Sequence, residues 1–443
     1  MASPTYWLTT LGCAKNQVDS DKVEAMLAEA GYDAAAAPEL ADVVMVNTCA
    51  FIEEARRESV ATILELTDVA KSGAHTVVLG CMAQRFGTEV EKALPEVDAV
   101  VGLDGYERLV PLLDRFTRGP NWQPVRMRRP VMDILAMVNR PAPTLPYAYV
   151  KVAEGCDKPC TFCAIPLIRG KQRSRRPPNV IAEVEGLTAA GVSEIVLVAQ
   201  DLAAYGRDID ATDSTSRFDI VDLVSLVTEV DGVERVRLLY LYPKEIRPRL
   251  IAEMGTNRKI APYFDLSLQH ASQPLLRAMK RPGNGSRFLE LIDTIRTTAP
   301  DAALRSSFIV GFPGEQSEHV EELAGFLEAA QLDWAGFFPY SAEEGTPAAS
   351  LPHQVERDEV SERLRYLSAI QEEITEAANL SSIGSETRVL VDQIEDGNAV
   401  GRSHREAPEI DGVVLLDRGG PGDWVDVRIT AAYGPDRQGE VLS

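Results

Sequence analysis

Two hydrophobic rhythms take turns along this chain. Residues 6–11 read as a strand, and residues 17–30 place apolar side chains at Val18, Val23, Met26 and Leu27, the spacing that gives a helix one buried face. A strand at 43–47, a helix with a charged outer face at 52–68 and a strand at 76–79 follow. Strands alternating with helices predict a parallel sheet with crossover helices, so residues 4–119 are expected to form an open parallel α/β sheet domain. Pro124, Pro130 and Pro141, with Arg126, Arg128 and Arg129 among them, break the rhythm and mark residues 120–141 as a linker. The alternation then resumes, with strands expected at 148–152, 194–199, 236–241, 263–268, 303–310 and 334–339 and a long charged helix at 354–378. Six strand–helix units in succession predict a partial (β/α)6 barrel over residues 142–378, with its chemistry on the loops after the strands. Residues 380–443 change character. Short strands at 387–393, 399–402, 412–416 and 424–430, separated by Gly, Pro and Asp, predict a small antiparallel β-barrel.

Composition narrows the class. A chain of 443 residues is too long for one core and suggests two to four domains at roughly 100–200 residues each. With 45% hydrophobic and 25% charged residues it reads as a globular protein. The first twenty residues lack a basic flank followed by an apolar run, and no stretch is long enough to span a bilayer, so a cytoplasmic protein without membrane partners is expected. The formal net charge of −22 argues against nucleic acid as a direct substrate, because phosphate contacts dominate such binding. It suits a basic partner.

The six cysteines carry the chemistry. Without an export signal, Cys13, Cys49, Cys81, Cys156, Cys160 and Cys163 point to metal ligation, catalysis or burial rather than to disulfides. Cys156, Cys160 and Cys163 form a Cys-x3-Cys-x2-Cys loop after the first barrel strand. Three thiolates with no fourth nearby leave one iron of an iron–sulfur cluster open to another ligand; a structural zinc would ask for four. Cys13, Cys49 and Cys81 are scattered, yet each lies just past a predicted strand. Strand carboxyl ends form the ligand crevice of open α/β sheets, so these thiols too are expected to meet. Taken singly, each is also compatible with plain burial.

The Cys-x3-Cys-x2-Cys loop, with Phe162 before its last cysteine, resembles that of the radical S-adenosylmethionine superfamily. The resemblance implies a cluster whose open iron chelates S-adenosylmethionine. It also nominates Phe162, Gln200 and Asp201 after the second strand, Gln269 and His270 after the fourth, and Gly311 after the fifth as cofactor contacts. Each has an ordinary reading as well: Gln200 as a helix cap, His270 as a satisfied core histidine, Gly311 as a turn. Gly12-Cys13-Ala14-Lys15-Asn16, Asn47-Thr48-Cys49-Ala50-Phe51-Ile52 and Gly80-Cys81 resemble the three cysteine motifs of the methylthiotransferases, whose last segment is a TRAM domain. That likeness implies two 4Fe–4S clusters, held by Cys13, Cys49 and Cys81 and by Cys156, Cys160 and Cys163, facing one cavity.

Two branches of that family compete: one modifies an adenosine beside the tRNA anticodon, the other, of the RimO type, an aspartate of small-subunit ribosomal protein twelve. Tyr240-Leu241-Tyr242-Pro243 and the run from Gly401 to Gly412 (GRSHREAPEIDG) resemble the ribosomal branch, although the latter also reads as an ordinary surface loop. Residues 380–443 carry twelve acidic and six basic side chains, which suits a basic protein rather than tRNA. The branch implies methylthiolation of the aspartate β-carbon to 3-methylthioaspartate, with the protein substrate free or in the ribosome, a reduced electron donor and a sulfur donor. A non-catalytic iron–sulfur or zinc scaffold is the more distant alternative. The basic run Arg169, Lys171, Arg173, Arg175 and Arg176 could suggest nucleic acid, but reads rather as a solvated loop with some members near the carboxylate of the cofactor or substrate.

Overall fold

Val43, Val44, Met45 and Val46 are all fully buried, which requires a strand covered on both faces. That strand is the middle of the first sheet. The computed structural model describes residues 3–119, 133–209 and 218–442. The chain divides into two compact units, the first made of residues 1–142, 153–157 and 163–183, the second of the remainder. In the first, β1 (Thr5–Thr10), α1 (Ala14–Glu29), β2 (Asp33–Ala34), β3 (Val43–Thr48), α2 (Glu53–Val69), β4 (His75–Leu79), α3 (Gly80–Ala93), β5 (Ala99–Val101) and α4 (Leu109–Arg118) form a sheet of order β2-β1-β3-β4-β5. All its pairings are parallel. Val23, Met26 and Leu27 of α1 and Leu109 and Leu113 of α4 bury one face, and Ile63, Met82 and Val90 of α2 and α3 the other. β2 and β5, only two and three residues long, are too short to stand out in the pattern.

Residues 120–132 of the expected linker, with Arg126, Arg128 and Arg129, lie outside the described residues. The described part is packed: Ile134 and Leu135 are buried, and Arg140 pairs with Glu183 at 3.0 Å.

In the second unit the strands β6 (Tyr147–Lys151), β9 (Glu194–Val198), β10 (Arg235–Leu238), β11 (Tyr263–Gln269), β12 (Ala303–Val310) and β13 (Trp334–Pro339) stand in chain order and run parallel. Between β6 and β9 the chain makes a short hairpin of β7 (Ala153–Glu154) and β8 (Arg173–Ser174) around α5 (Ile165–Ile168), followed by α6 (Pro177–Ala189). The extension of β10 meets β11 through Leu241 N–H to Asp265 O at 2.9 Å and Ser267 N–H to Leu241 O at 3.0 Å, so the six strands form one open barrel. Helices α7 (Ile220–Thr228), α8 (Pro248–Thr256), α9 (Gln273–Ala278), α10 (Gly285–Thr298), α11 (Ser317–Ala330) and α12 (Arg357–Ser381) connect and follow them.

The last segment closes a five-stranded barrel of β14 (Glu386–Glu395), β15 (Asn398–Arg402), β16 (Val414–Leu416), β17 (Trp424–Tyr433) and β18 (Asp436–Val441) around Val389, Val391, Val427 and Ile429. Two features depart from expectation. β18 lies outside the expected strands, because its buried inward positions, Arg437 and Gly439, are not hydrophobes and only Val441 at its end packs on the core. The barrel is antiparallel except at its closing pair, β16 with β18, which is parallel.

The run from Gly401 to Gly412 is no ordinary surface loop. It docks the small barrel on the amino-terminal ends of the six strands. Tyr147 of β6 donates to Glu409 at 3.0 Å, and Arg237 of β10 to the His404 carbonyl at 2.9 Å. Tyr263 of β11 donates to Asp411 at 2.6 Å, and Trp334 of β13 to the Arg405 carbonyl at 2.7 Å. At the centre Glu194, fully buried, faces Arg237 and Arg402, each at 2.9 Å. Glu406 takes hydrogen bonds from Ser403 and Arg437.

Breaking a buried ion pair from one side strands the partner charges and costs about 3–5 kcal/mol. Glu194→Gln should therefore lower the thermal midpoint sharply in calorimetry; an unchanged midpoint would contradict this anatomy. Acid should loosen the same junction. Burial pushes the Glu194 and Glu406 carboxyls up, but Arg402, Arg237 and Arg235 around the first, and Arg437 beside the second, hold both down to about 2, below the usual 4.5. Folded values below unfolded ones mean that this stabilisation is complete above pH 4.5 and drains away as pH falls from there through 2. Fluorescence of Trp334 and Trp424 at the junction should report that loss; a signal already falling at pH 6 would contradict it.

Candidate functional site

β1, β3 and β4 are neighbours in one parallel sheet, so the residues that leave them emerge at one edge. Cys13 stands immediately before α1, Cys49 follows β3, and Cys81 is the second residue of α3 as it leaves β4. Gly12, at φ +93°, makes the turn into Cys13; a Cβ there would sit 2.8 Å from the Cys49 Cβ and 3.0 Å from its Sγ. Asn16 stitches the group together. Its Nδ2 donates to the Leu11 carbonyl at 2.8 Å and the Thr48 carbonyl at 3.1 Å, and its Oδ1 lies 3.5 Å from the Cys81 Sγ.

One cation enters this group. Arg169, buried at the end of the hairpin excursion, places Nη2 at 3.3 Å from the Cys81 Sγ and 2.5 Å from the Asn16 Oδ1. Its Nη1 meets Asp19 at 3.0 Å and Glu154 at 2.6 Å. Burial pushes all three thiols up. It wins at Cys49 and takes Cys81 to about 12, helped there by the negative charges of Cys13 and Cys49. At Cys13 the charges of Lys15 and Arg169 and the Asn16 and Lys15 amides overcome it, and its value falls. The thiols thus sense one another and share one cation.

The second cysteine loop leaves β7. The Cys156 amide donates to the Gly170 carbonyl at 3.1 Å. Thr161 is tied to α9 through its amide to the Met279 carbonyl at 3.1 Å and its hydroxyl to the Ala278 carbonyl at 2.9 Å. Phe162 and Cys163 are half-buried. Arg281 reaches 3.8 Å from the Cys160 Sγ, donates to the Ser267 carbonyl and lies 4.1 Å over the Tyr242 ring. Every other buried arginine among the described residues has a carboxylate partner; Arg281 has none. Lys158, in the cysteine loop, pairs with Asp201 at 3.2 Å and Glu245 at 2.6 Å.

The expected cofactor contacts separate into two groups. Gln200 and Asp201 follow β9 and Gln269 ends β11, so these stay at the strand carboxyl ends. Asp201 is buried, which raises its carboxyl despite Lys158. His270 and Gly311 are tied into the protein itself. The His270 ring is 0% exposed, its Nδ1 accepts the amides of Ala271 at 2.9 Å and Ser272 at 3.0 Å, and its Nε2 is 3.5 Å from Glu315. Glu315 also takes the Gly311 amide at 2.9 Å and Arg363 at 2.7 Å. At Gly311, φ +81°, a Cβ would run into Val360 of α12. Both residues help to hold the loops that follow their strands. The basic run is mixed: Lys171, Arg173 and Arg176 are exposed, whereas Arg169 and Arg175 are buried on carboxylates.

Comparison with known proteins places this arrangement. Residues 5–102 match the uncharacterized protein family UPF0004, residues 150–327 the radical SAM superfamily and residues 383–442 the TRAM domain. The ribosomal protein uS12 methylthiotransferase RimO of Moorella thermoacetica is 42% identical over 434 residues, covering 96% of this chain and 96% of its own. The protein of the same name from Saccharopolyspora erythraea is 40% identical over 460 residues, 97% of this chain and 93% of its own. The chain belongs to the RimO family. With the superfamily match, membership makes it a radical S-adenosylmethionine methylthiotransferase that uses 4Fe–4S clusters. Among solved structures, the radical S-adenosylmethionine methyltransferase TsrM from Kitasatospora setae, with cobalamin and a 4Fe–4S cluster bound, matches at a TM-score of 0.54 and 15% identity over 78% of this chain and 74% of its own, a likeness of fold.

The side chains fit such cofactors. All six cysteines are free thiols, and clusters are held by thiolates. A buried guanidinium aimed at the Cys81 sulfur compensates the negative charge that a cluster brings into a site otherwise hostile to it. The sequence marked Arg169 only as one member of a basic run read as solvated, and it carried no signal for Arg281.

Gly12 supplies a sharp test. Gly12→Ala adds about 1–2 kcal/mol of backbone strain and presses on Cys49. Gly73→Ala, also at positive φ but with nothing within 4 Å, adds the strain alone. After anaerobic reconstitution the first should hold about half the iron of the parent chain and the second nearly all of it; equal loading of the two would contradict the placement of Cys49.

Proposed function

We propose that this chain methylthiolates the β-carbon of an aspartate in ribosomal protein uS12, giving 3-methylthioaspartate. The observation that carries the reading is the identity of about 40% with proteins named for that activity along nearly the whole chain, all three segments included. The acidic composition of residues 380–443 supports a basic protein substrate over tRNA.

In this reading Cys13, Cys49 and Cys81 hold one 4Fe–4S cluster, and Cys156, Cys160 and Cys163 hold the other together with S-adenosylmethionine. When bound, the cofactors supply the sulfur and methyl group to be transferred and the radical that opens the carbon–hydrogen bond. The chain's residues do the holding and orienting. Phe162, Gln200, Asp201 and Gln269 are the candidate contacts to S-adenosylmethionine, while His270 and Gly311 brace the loop that Glu315 fastens. Lys158 keeps Asp201 and Glu245 neutralised at the barrel mouth. Arg281, with no carboxylate of its own, is suited to receive one from a ligand. An electron donor and a sulfur donor complete the reaction. No described helix is long and apolar enough to cross a membrane, and the proposed site of action is the cytoplasm.

Incubation of the reconstituted enzyme with methyl-labelled S-adenosylmethionine and free uS12, assembled small subunits or tRNA decides the substrate. Label should enter uS12 in one or both protein arms; label in tRNA alone would overturn the reading. The two triads should also separate: Cys156→Ala should abolish both deoxyadenosine release and methylthiolation, whereas Cys81→Ala should abolish methylthiolation and leave deoxyadenosine release. Loss of deoxyadenosine in both variants would contradict the assigned roles.

A further inference from the structure

Arg169 is fully enclosed, and nothing in the proposed reaction calls for it. It lies on the same short segment as Cys163, and the carbonyl of its neighbour Gly170 holds the Cys156 amide. Its guanidinium nevertheless sits in the other cysteine group, 3.3 Å from the Cys81 sulfur. Asn16, Asp19 and Glu154 fix its orientation, so the N–H aimed at sulfur is preorganised. Hydrogen bonds to cluster sulfurs and nearby charge are the two levers by which a protein sets a cluster's reduction potential. Both are united in this one side chain, and Glu154 opposes it from the far side.

We infer that Arg169 is a positioning residue for the cluster on Cys13, Cys49 and Cys81, one that raises its reduction potential and is itself set by Glu154. The inference rests on the reading that these three cysteines are cluster ligands. A guanidinium beside sulfur favours the more negative, reduced cluster; taking its positive charge away favours the oxidised one. Removing the Glu154 charge has the opposite sign.

The test is an EPR-monitored redox titration of the full-length chain carrying Cys156→Ala, Cys160→Ala and Cys163→Ala, so that the first site is seen alone. Arg169→Met should move the midpoint to more negative potential, Arg169→Lys should move it less in the same direction, and Glu154→Gln should move it to more positive potential. A role confined to packing would not give shifts of opposite sign. If Arg169→Met fails to load iron, the Lys and Gln variants carry the comparison. Iron-loaded variants whose midpoints stay at the parent's value, or shift in one common direction, overturn the inference. A parent chain with the second triad removed that binds no cluster overturns instead the ligand reading beneath it.

Discussion

A parallel sheet delivers every strand to the same edge, and the first unit depends on that constraint. Cys13, Cys49 and Cys81 are far apart in the chain, yet each follows a strand, and the strands β1, β3 and β4 lie side by side. Covering both faces with helices calls for apolar side chains along the middle of the sheet, as at Val43 to Val46, and fixes the register, which in turn fixes where each cysteine emerges. Cys49 and Cys81 are then buried, with Cys13 half-buried, and burial alone would keep the thiols protonated. The group is therefore strained towards a use: it becomes stable as thiolates only with positive charge at hand, and the chain provides this as Arg169 and a bound metal would provide the rest.

The second unit solves a different problem with the same means. Its six parallel strands leave their amino-terminal ends open, and the small barrel covers them through one loop. Burying Glu194 and Glu406 among arginines is costly in desolvation, but every charge there has a partner of opposite sign, and the Ser403 and His404 carbonyls accept from Arg235 and Arg237. Such a junction tolerates one geometry only. The carboxyl ends of the same strands are left to Cys160, Asp201, Gln269 and Arg281.

Much of this was legible in the order of residues, for identifiable reasons. Val43 to Val46 and Ile195 to Val198 are continuous apolar runs, the mark of buried parallel strands, and the cysteine spacing survives any change of surroundings. What stayed hidden is what three-dimensional neighbours decide. Arg169 and Lys171 are two residues apart and equally basic, but one is enclosed by carboxylates and the other is exposed. β18 points an arginine and a glycine inward, because Arg437 finds Glu406 across the barrel, so no hydrophobic alternation marked it. The full burial of His270 beside Glu315, forty-five positions later, was equally hidden, since its place after a strand says nothing of a neighbour so distant in sequence.

The central claim is that two separate groups of three thiolates each hold a cluster. Mössbauer quantification of the anaerobically reconstituted chain tests it most directly. The account predicts about eight cluster irons per chain, falling to about four when either group of cysteines is replaced by alanine. About four irons in the intact chain, lost only with Cys156, Cys160 and Cys163, would contradict it.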